Sequence, residues 1–343
     1  MQTIRDVARL AEVSLGTVSK VINKKGKVSP ELTQRVLRAM EALDYHPDQI
    51  ARSLKVRQTQ TIGMVIPDIT NPFFTEVIRG VEGEGRAHGY SLILCDSNED
   101  PSLEQANLNT LFSRRVDGVL LAPTDAQIAQ DRITRRRFPV VFFDRIPPSF
   151  TGSAVVTDNL GAAFEATHHL IGLGHRGLAI ITGRLNLSSG LDRLEGFRKA
   201  LQQAGLPLRE EYLRQGDFQL ESGYRCGLEL LQLAIPPTGI FCCNNQMTLG
   251  LMRALAEMRV TCPGQVSVLG FDDFPWAANF SPRLTTIAQP SVEMGEKAMQ
   301  MLLRKIEFFK EENNDKEEKV VVLKAELRVR DSTAAPALAN NAA

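Results

Sequence analysis

From Thr61 onward, short runs that are apolar at almost every position alternate with longer amphipathic segments. The runs are Ile62–Ile66, Ser91–Cys95, Gly118–Ala122 and Val140–Phe143, then Ala179–Thr182, Gly239–Cys243 and Val266–Phe271. A strand that is apolar on both faces has to be covered on both, which predicts parallel sheets flanked by helices. Two successive sets predict two similar doubly wound α/β lobes with a cleft at the carboxyl ends of their strands. With 343 residues, 43% of them hydrophobic, the chain can bury about two to three domain cores.

The opening residues follow a different rule. Ile4, Val7, Ala8 and Ala11 recur at three- and four-residue steps, as do Val18, Val21 and Ile22, and Val13 can seal the corner between the two sets. Helices this short do not persist alone, so each must fold against a partner. Thr3 and Ser14 stand where a hydroxyl can accept a free backbone N–H at a helix start. The second helix then presents Leu15, Gly16, Thr17 and Lys20 outward, as a recognition helix does in the major groove. A third segment opens at Ser29-Pro30 and carries Leu32, Val36, Leu37, Met40 and Leu43 on one face, completing an all-α bundle. Residues 1–60 hold eleven Lys/Arg against six Asp/Glu, a net of +5 in a chain whose total is +0. A basic head on an acidic body suits a module that displaces counterions from DNA phosphates.

Together with these segments, the motifs TIGMVIPDITNPFF, VDGVLL, GHRGLAIITG, DRLEGFRKAL, NNQMTLG, VSVLGFDD and LTTIAQP occur in an order that resembles the LacI/GalR family of bacterial transcription regulators from end to end. The resemblance implies a helix-turn-helix domain at 1–45, a hinge at 46–59, and an effector-binding and dimerisation core at 60–330. The core lobes are expected at about 60–158 with 290–318, and 159–289 with 319–330, like periplasmic sugar-binding proteins. By the same resemblance, operator contacts fall on Thr3, Ser14, Leu15, Gly16, Thr17, Ser19, Lys20, Asn23, Tyr45, Ala51 and Leu54. The resemblance also implies that Leu54 is the minor-groove wedge of a hinge that becomes helical on DNA. Leu15-Gly16 predicts few hydrogen bonds to bases. A homodimer follows from the two-fold symmetry of operators. The charged run 310–319 reads as a solvated loop and 331–343 as a disordered tail without leucine heptads.

At the strand ends stand Asn71, Phe73 and Phe74, then Asp144-Arg145, Ser189, Arg193, Phe218, Asn244, Asp272 and Gln289. Carboxylates accept from hydroxyls, guanidiniums and amides donate to ring and hydroxyl oxygens, and phenyl rings cover apolar sugar faces, a set suited to a neutral polyol. The same residue types at strand ends also make structural salt bridges and helix caps. As a set they resemble those of ribose-binding proteins and ribose-type repressors, which implies a pentose such as ribose. A hexose, a sugar acid, a purine or a phosphoprotein co-repressor are the alternatives. One departure is Asn244-Asn245, where family members often carry Asn-Asp.

Other chemistries lack their motifs. GxxxxGK[ST] does not occur and no GxSxG elbow is present, while the one GxGxxG match, Gly172 to Gly177, precedes the apolar run Ala179–Thr182 instead of following a strand and opening a helix, as a phosphate loop must. His168, His169 and His175 lack the i, i+4 pairing of a metal site, so neither enzyme activity nor a cofactor is expected. The five cysteines show no CxxC pair and read as buried thiols. A pure sugar-binding module would carry an export signal and no basic head. With no membrane-length apolar run, the expectation is a cytoplasmic, nucleoid-associated bacterial repressor of a carbohydrate operon, bound to double-stranded operator DNA and tuned by a sugar.

Overall fold

The computed structural model describes residues 2–22, 26–45, 58–125, 138–146, 150, 152–310 and 319–337. Two compact units, residues 1–59 and 60–343, are each held by their own contacts.

The head contains α1 (Ile4–Leu10), α2 (Leu15–Ile22) and α3 (Pro30–Ala42). Val7, Ala8, Ala11, Val18, Val36 and Ala39 form its buried centre, ringed by Ile4, Val13, Val21, Ile22, Met40, Leu43 and Tyr45. Ser14 Oγ accepts from Thr17 N at 3.1 Å and Ser29 Oγ from Leu32 N at 3.3 Å, so both caps form as the hydroxyl positions predict. Thr3 differs. Its hydroxyl donates to Asp6 Oδ2 at 2.7 Å, and its backbone N–H donates to the same oxygen at 2.9 Å, so Asp6 closes the first turn. Those bonds hold the Asp6 carboxyl below its ordinary range, the Thr3 hydroxyl contributing most. Leu37, expected on the inner face, is 52% exposed. Val36, Ala39, Met40 and Leu43 fill the inward arc, and position 37 turns past its edge.

The larger unit holds two six-stranded sheets. The strands are β1 (Thr61–Ile66), β2 (Ser91–Asp96), β3 (Gly118–Leu121), β4 (Val140–Phe143), β5 (Ala154–Thr157), β6 (Leu178–Thr182), β7 (Leu213–Gln215), β8 (Gly239–Cys242), β9 (Ser267–Phe271), β10 (Thr285–Ala288), β11 (Val320–Leu323) and β12 (Glu326–Arg328). The first sheet runs β11-β5-β4-β3-β1-β2 and is wholly parallel. The second runs β12-β10-β9-β8-β6-β7, with only β12 antiparallel to its neighbour. Between them lie α4 (Pro72–Ala87), α5 (Pro101–Ser113), α6 (Asn159–Gly172), α7 (Ser188–Gln203), α8 (Leu220–Leu231), α9 (Asn245–Glu257) and α10 (Ser291–Lys310).

The apolar strands are covered on both faces, as their composition requires. In the first sheet Ile62, Met64, Leu120, Val141 and Val155 face α4 and α10, while Val65, Val119, Leu121, Val140 and Phe142 face Leu108 and Leu111 of α5. The α4/α10 pair is drawn tight by two glycines. A Cβ at Gly80 would sit 2.1 Å from the Val292 carbonyl oxygen, and one at Gly295 2.1 Å from that of Val77. The second sheet uses the same device, with Gly250 against the Leu220 carbonyl and Gly223 against that of Met247.

The structure corrects the expected lobe boundaries at the carboxyl end. The segment 319–330 does not return to the second lobe as a block. β11 extends the first sheet through β5, and only β12 pairs with the second sheet, through β10. Lys324 and Ala325 therefore make a crossing between lobes. The physical reason is compositional, since Val320-Val321-Val322-Leu323 prolongs a parallel apolar sheet whereas Glu-Leu-Arg suits an edge. The tail expectation also fails for 331–337. Ser332 is fully buried, its hydroxyl donating to the Val268 carbonyl at 2.7 Å and accepting from Thr285 N at 2.8 Å. His175 Nε2 lies 2.9 Å from the Ala334 carbonyl and His169 Nε2 3.0 Å from Thr333 Oγ1, so both histidines anchor this strip. Residues 338–343 and most of the charged run, 311–318, lie outside the described residues. Replacing Gly80 by Ala should destabilise the larger unit by about 1–3 kcal/mol, because a rigid carbonyl blocks the added methyl. An unfolding midpoint unchanged in urea would show that α4 and α10 can separate freely.

Candidate ligand cleft and nucleic-acid interface

Both sheets end at the same cleft, and the residues that follow their strands are bent sharply into it. Asp144 comes directly after β4 and Asp272 directly after β9, with φ of 62° and 71°, and Phe218 has φ 73°. Left-handed backbone at non-glycine residues costs energy and persists only where the surroundings impose it, which is why it collects at sites. The Phe218 ring has room because the residue beneath it is Gly183, where a Cβ would lie 2.0 Å from the ring.

Asn71, Phe73, Phe74, Asp144, Arg145, Ser189, Arg193, Phe218, Asn244, Asp272 and Gln289 line one cleft. The structure thus brings together every residue expected at the cleft, though not all with hydrogen-bonding capacity to spare. Arg145 places Nη1 and Nη2 on the Glu99 carboxylate at 3.1 and 2.8 Å, and Nε on Asp144 at 3.2 Å. Its guanidinium stands 4.8 Å from the centre of the Phe218 ring. Arg193 donates Nε to Asn159 Oδ1 at 2.8 Å and Nη1 to the Cys243 carbonyl, and stacks 3.6 Å above Phe271. Asn244 is turned to structural work, its Oδ1 accepting from Met247 N at the start of α9 and its Nδ2 donating to the Phe218 carbonyl. Gln289 donates to Asp272 and accepts from Thr157, linking two strand ends. Phe73 and Phe74 meet edge to face at 5.0 Å. Ser189 is 1% exposed, and its hydroxyl has no partner among the described residues.

Besides Thr157–Gln289 beside the crossovers, four hydrogen bonds between described residues join the lobes across the cleft. On one side Asn245 Nδ2 donates to Asn71 Oδ1 at 2.8 Å and Gln246 Nε2 to the Thr70 carbonyl at 3.4 Å. On the other, Ile146 N donates to Ser188 Oγ at 3.0 Å and Arg184 Nη1 to the Glu99 carbonyl at 3.2 Å. The departure at Asn245 acquires a physical meaning here. An ionised Asp could not donate to Asn71 Oδ1 as the Asn245 amide does. Glu99, Asn159, Ser188 and Arg184 were not singled out from the sequence, where each sits in a polar stretch like many others.

Burial pushes the carboxyls of Asp144 and Asp272 above their ordinary range. Arg145 and then Arg193 work against that rise at Asp144, and Arg193 and then Gln289 at Asp272. Arg145 is also buried, which disfavours its charge, yet Glu99 and then Asp144 more than offset this and hold its pKa up. The asymmetry has a simple origin: Arg145 serves two carboxylates, so Asp144 receives only part of its charge. Cys242 and Cys243 adjoin the site and are fully buried, and burial pushes the Cys242 thiol up to about 12. The arrangement can bind a compact polar solute. Among the described residues it presents no nucleophile with an adjacent base.

In the head, Leu15, Gly16 and Lys20 are exposed on α2, with Leu15 at 46%, while Thr17 and Ser19 are half-buried. Ser14 and Thr17 bond to each other through their hydroxyls at 2.9 Å. Gly16 offers no side chain, and a Cβ there would meet only Ser14 Oγ, at 3.6 Å. Tyr45 packs against the bundle core. Asn23, Ala51 and Leu54 lie outside the described residues.

Comparison with known proteins agrees with this layout. Residues 3–48 match the bacterial regulatory proteins of the lacI family, and residues 167–333 match a periplasmic binding protein-like domain. The ribose operon repressor of Escherichia coli (strain K12) is 40% identical over 308 residues, covering 89% of this chain and 93% of that one. The transcriptional repressor PurR of Histophilus somni (strain 129Pt) is 36% identical over 97% of this chain and 99% of its own length. Among solved structures, the lac repressor dimer bound to operator and an anti-inducer superposes with a TM-score of 0.85 at 26% identity, covering 97% of this chain and 99% of that one. A ribose operon repressor homologue from Burkholderia thailandensis gives 0.70 at 32% identity over 78% of this chain and 98% of its own. With a basic helical head, two parallel-sheet lobes around one cleft and relatives alike over most of its length, the chain belongs to the lacI family of bacterial regulatory proteins, DNA-binding transcriptional repressors rather than enzymes.

Proposed function

We propose that this repressor controls a carbohydrate-utilisation operon in the bacterial cytoplasm and responds to a small neutral sugar, a pentose such as ribose, held between its lobes. One observation carries the reading: eleven side chains from both lobes converge on one cleft, with buried carboxylates to accept from hydroxyls and a Ser189 hydroxyl that has no partner among the described residues. The ribose operon repressor relative supports the choice of pentose. A purine base is the second reading, favoured by the relatives named PurR. Thermal unfolding of the purified protein with ribose, other pentoses, hexoses and purine bases separates the two, since a ligand bound only by the folded state raises stability by mass action.

The chain acts as a dimer, with each head on one half-site and Leu54 of each hinge as the minor-groove wedge, as in the family it resembles. Sugar and operator are coupled by linkage. A solute that favours the joined lobes changes operator affinity by as much as operator changes the affinity for the solute. Coupling of about 1–3 kcal/mol corresponds to roughly 5- to 150-fold in operator affinity. The four interlobe hydrogen bonds are the contacts that an opening of the cleft would break.

Asp272→Ala is expected to remove the sugar-induced shift in operator affinity while the sugar-free protein still retards operator DNA; a mutant that responds normally would take Asp272 out of the site. Sugar affinity should also depend on pH. Asp144 and Asp272 have raised pKa values in the folded protein and bind hydroxyls best when ionised, so affinity falls on acidification at a higher pH than that at which an ordinary aspartate would titrate. Binding in that range releases protons, which calorimetry in buffers of different ionisation enthalpy reads directly; a flat profile into the acid range would contradict the assignment. Lys20→Ala should lower operator affinity, and if Lys20 meets a phosphate the slope of log K against log salt falls by about one unit for all sequences alike. An unchanged affinity would remove Lys20 from the interface.

A further inference from the structure

We infer that Glu99 determines the charge class of ligand the cleft accepts, by occupying within the protein the bidentate receptor that a ligand carboxylate or phosphate would need. The inference rests on the sugar reading above and goes beyond it, since Glu99 is not among the residues that line the cavity.

A guanidinium recognises an anion through two nitrogens on one edge. Arg145, which lines the cleft, has no edge on which both nitrogens are free. Nη1 and Nη2 hold the two oxygens of Glu99 at 3.1 and 2.8 Å, and Nε holds Asp144. Arg145 and Glu99 are both almost fully buried, at 4% and 6% exposure, so water does not compete for the pair. Arg193 has Nε on Asn159 and Nη1 on the Cys243 carbonyl, which leaves one nitrogen committed on each of its two edges. Two guanidiniums, Arg145 and Arg193, are shared among the buried carboxyls of Asp144, Asp272 and Glu99, so an anion entering the site finds no guanidinium without a carboxyl competitor at low dielectric. Arg184 approaches Glu99 from the other lobe at 4.0 Å, but it is partly exposed and its field is screened. Glu99 is held in a left-handed backbone conformation, φ 56°, at the end of the first lobe, and Arg184 donates to its carbonyl across the cleft, so its position is fixed from both sides.

The test compares ribose with ribonate and ribose 5-phosphate by calorimetry on the full chain, then on Glu99→Gln and Glu99→Asp. In the unaltered protein both anions should bind at least tenfold more weakly than ribose, a ratio of about the size expected for one unscreened charge near a buried site. Glu99→Gln keeps the shape, removes the charge and frees part of the Arg145 fork, so the ratio of ribose to ribonate affinity should fall about tenfold. Glu99→Asp keeps the charge and should keep the discrimination. The comparison in the unaltered protein needs no variant and stands if Glu99→Gln does not fold. Ribonate binding as tightly as ribose there, or an unchanged ratio in a folded Glu99→Gln protein, overturns the inference alone. Failure of ribose and both anions together overturns the sugar reading, and this inference with it.

Discussion

Five charged side chains share a space from which water is largely excluded, and the shape of the cleft follows from keeping all five satisfied. Arg145, Asp144, Glu99, Arg193 and Asp272 are each at most 6% exposed. Removing ions from water is expensive unless geometry returns the loss through close pairing, and that requirement fixes much around them. It accords with the strained backbone of Asp144 and Asp272, whose carboxyls, directly after β4 and β9, feel the charge of both guanidiniums. It explains why Phe218 and Phe271 lie against the arginines, offering polarisable faces where water would otherwise be needed. The aromatic and the ionic parts of the cleft are therefore one construction.

The lobes that carry these groups are stiff for a separate reason. In each, a pair of helices is pressed together through glycines whose missing side chains let carbonyl oxygens approach, Gly80 with Gly295 and Gly223 with Gly250. Close-packed helix pairs do not deform gradually. Movement is left to the three places where the chain passes from one sheet to the other: between β5 and β6, between β10 and α10, and between β11 and β12. Gln289, which bonds to both Asp272 and Thr157, sits beside the second of these.

Much of this was legible in the sequence because Asp and Arg residues of the cleft come directly after strands that are apolar and buried along their whole length, where position and chemistry are both marked. Asp144-Arg145 and Asp272 are of that kind, and so is Asn71-Pro72-Phe73-Phe74 at a helix start. What was not legible involved short or polar segments. β7 is three residues, Leu-Arg-Gln, with no period to detect, and β10 begins with two threonines. β11 and β12 are four and three residues long and belong to different sheets, a partition that only pairing partners decide. Ser332 lies in a stretch of small polar residues typical of a loose tail, yet its hydroxyl completes a buried strand edge. Glu99 carries no local signal, since its meaning depends on Arg145, forty-six positions away.

The interleaving of the chain has a consequence for how the protein comes into being. The first lobe is begun by β1 at residue 61, but the helix that covers Met64, Leu120 and Val141 is α10 and its edge strand is β11, both made near the end of synthesis. Until then, on the ribosome, that lobe exposes an open apolar sheet, the condition under which nascent chains cling to one another or to chaperones. In the second lobe strands β6 to β10 are nearly contiguous, and only the edge strand β12 and the strip 332–334 wait for the last residues. Vectorial assembly should therefore favour the later lobe, whose central sheet and covering helices are complete before the earlier one can close.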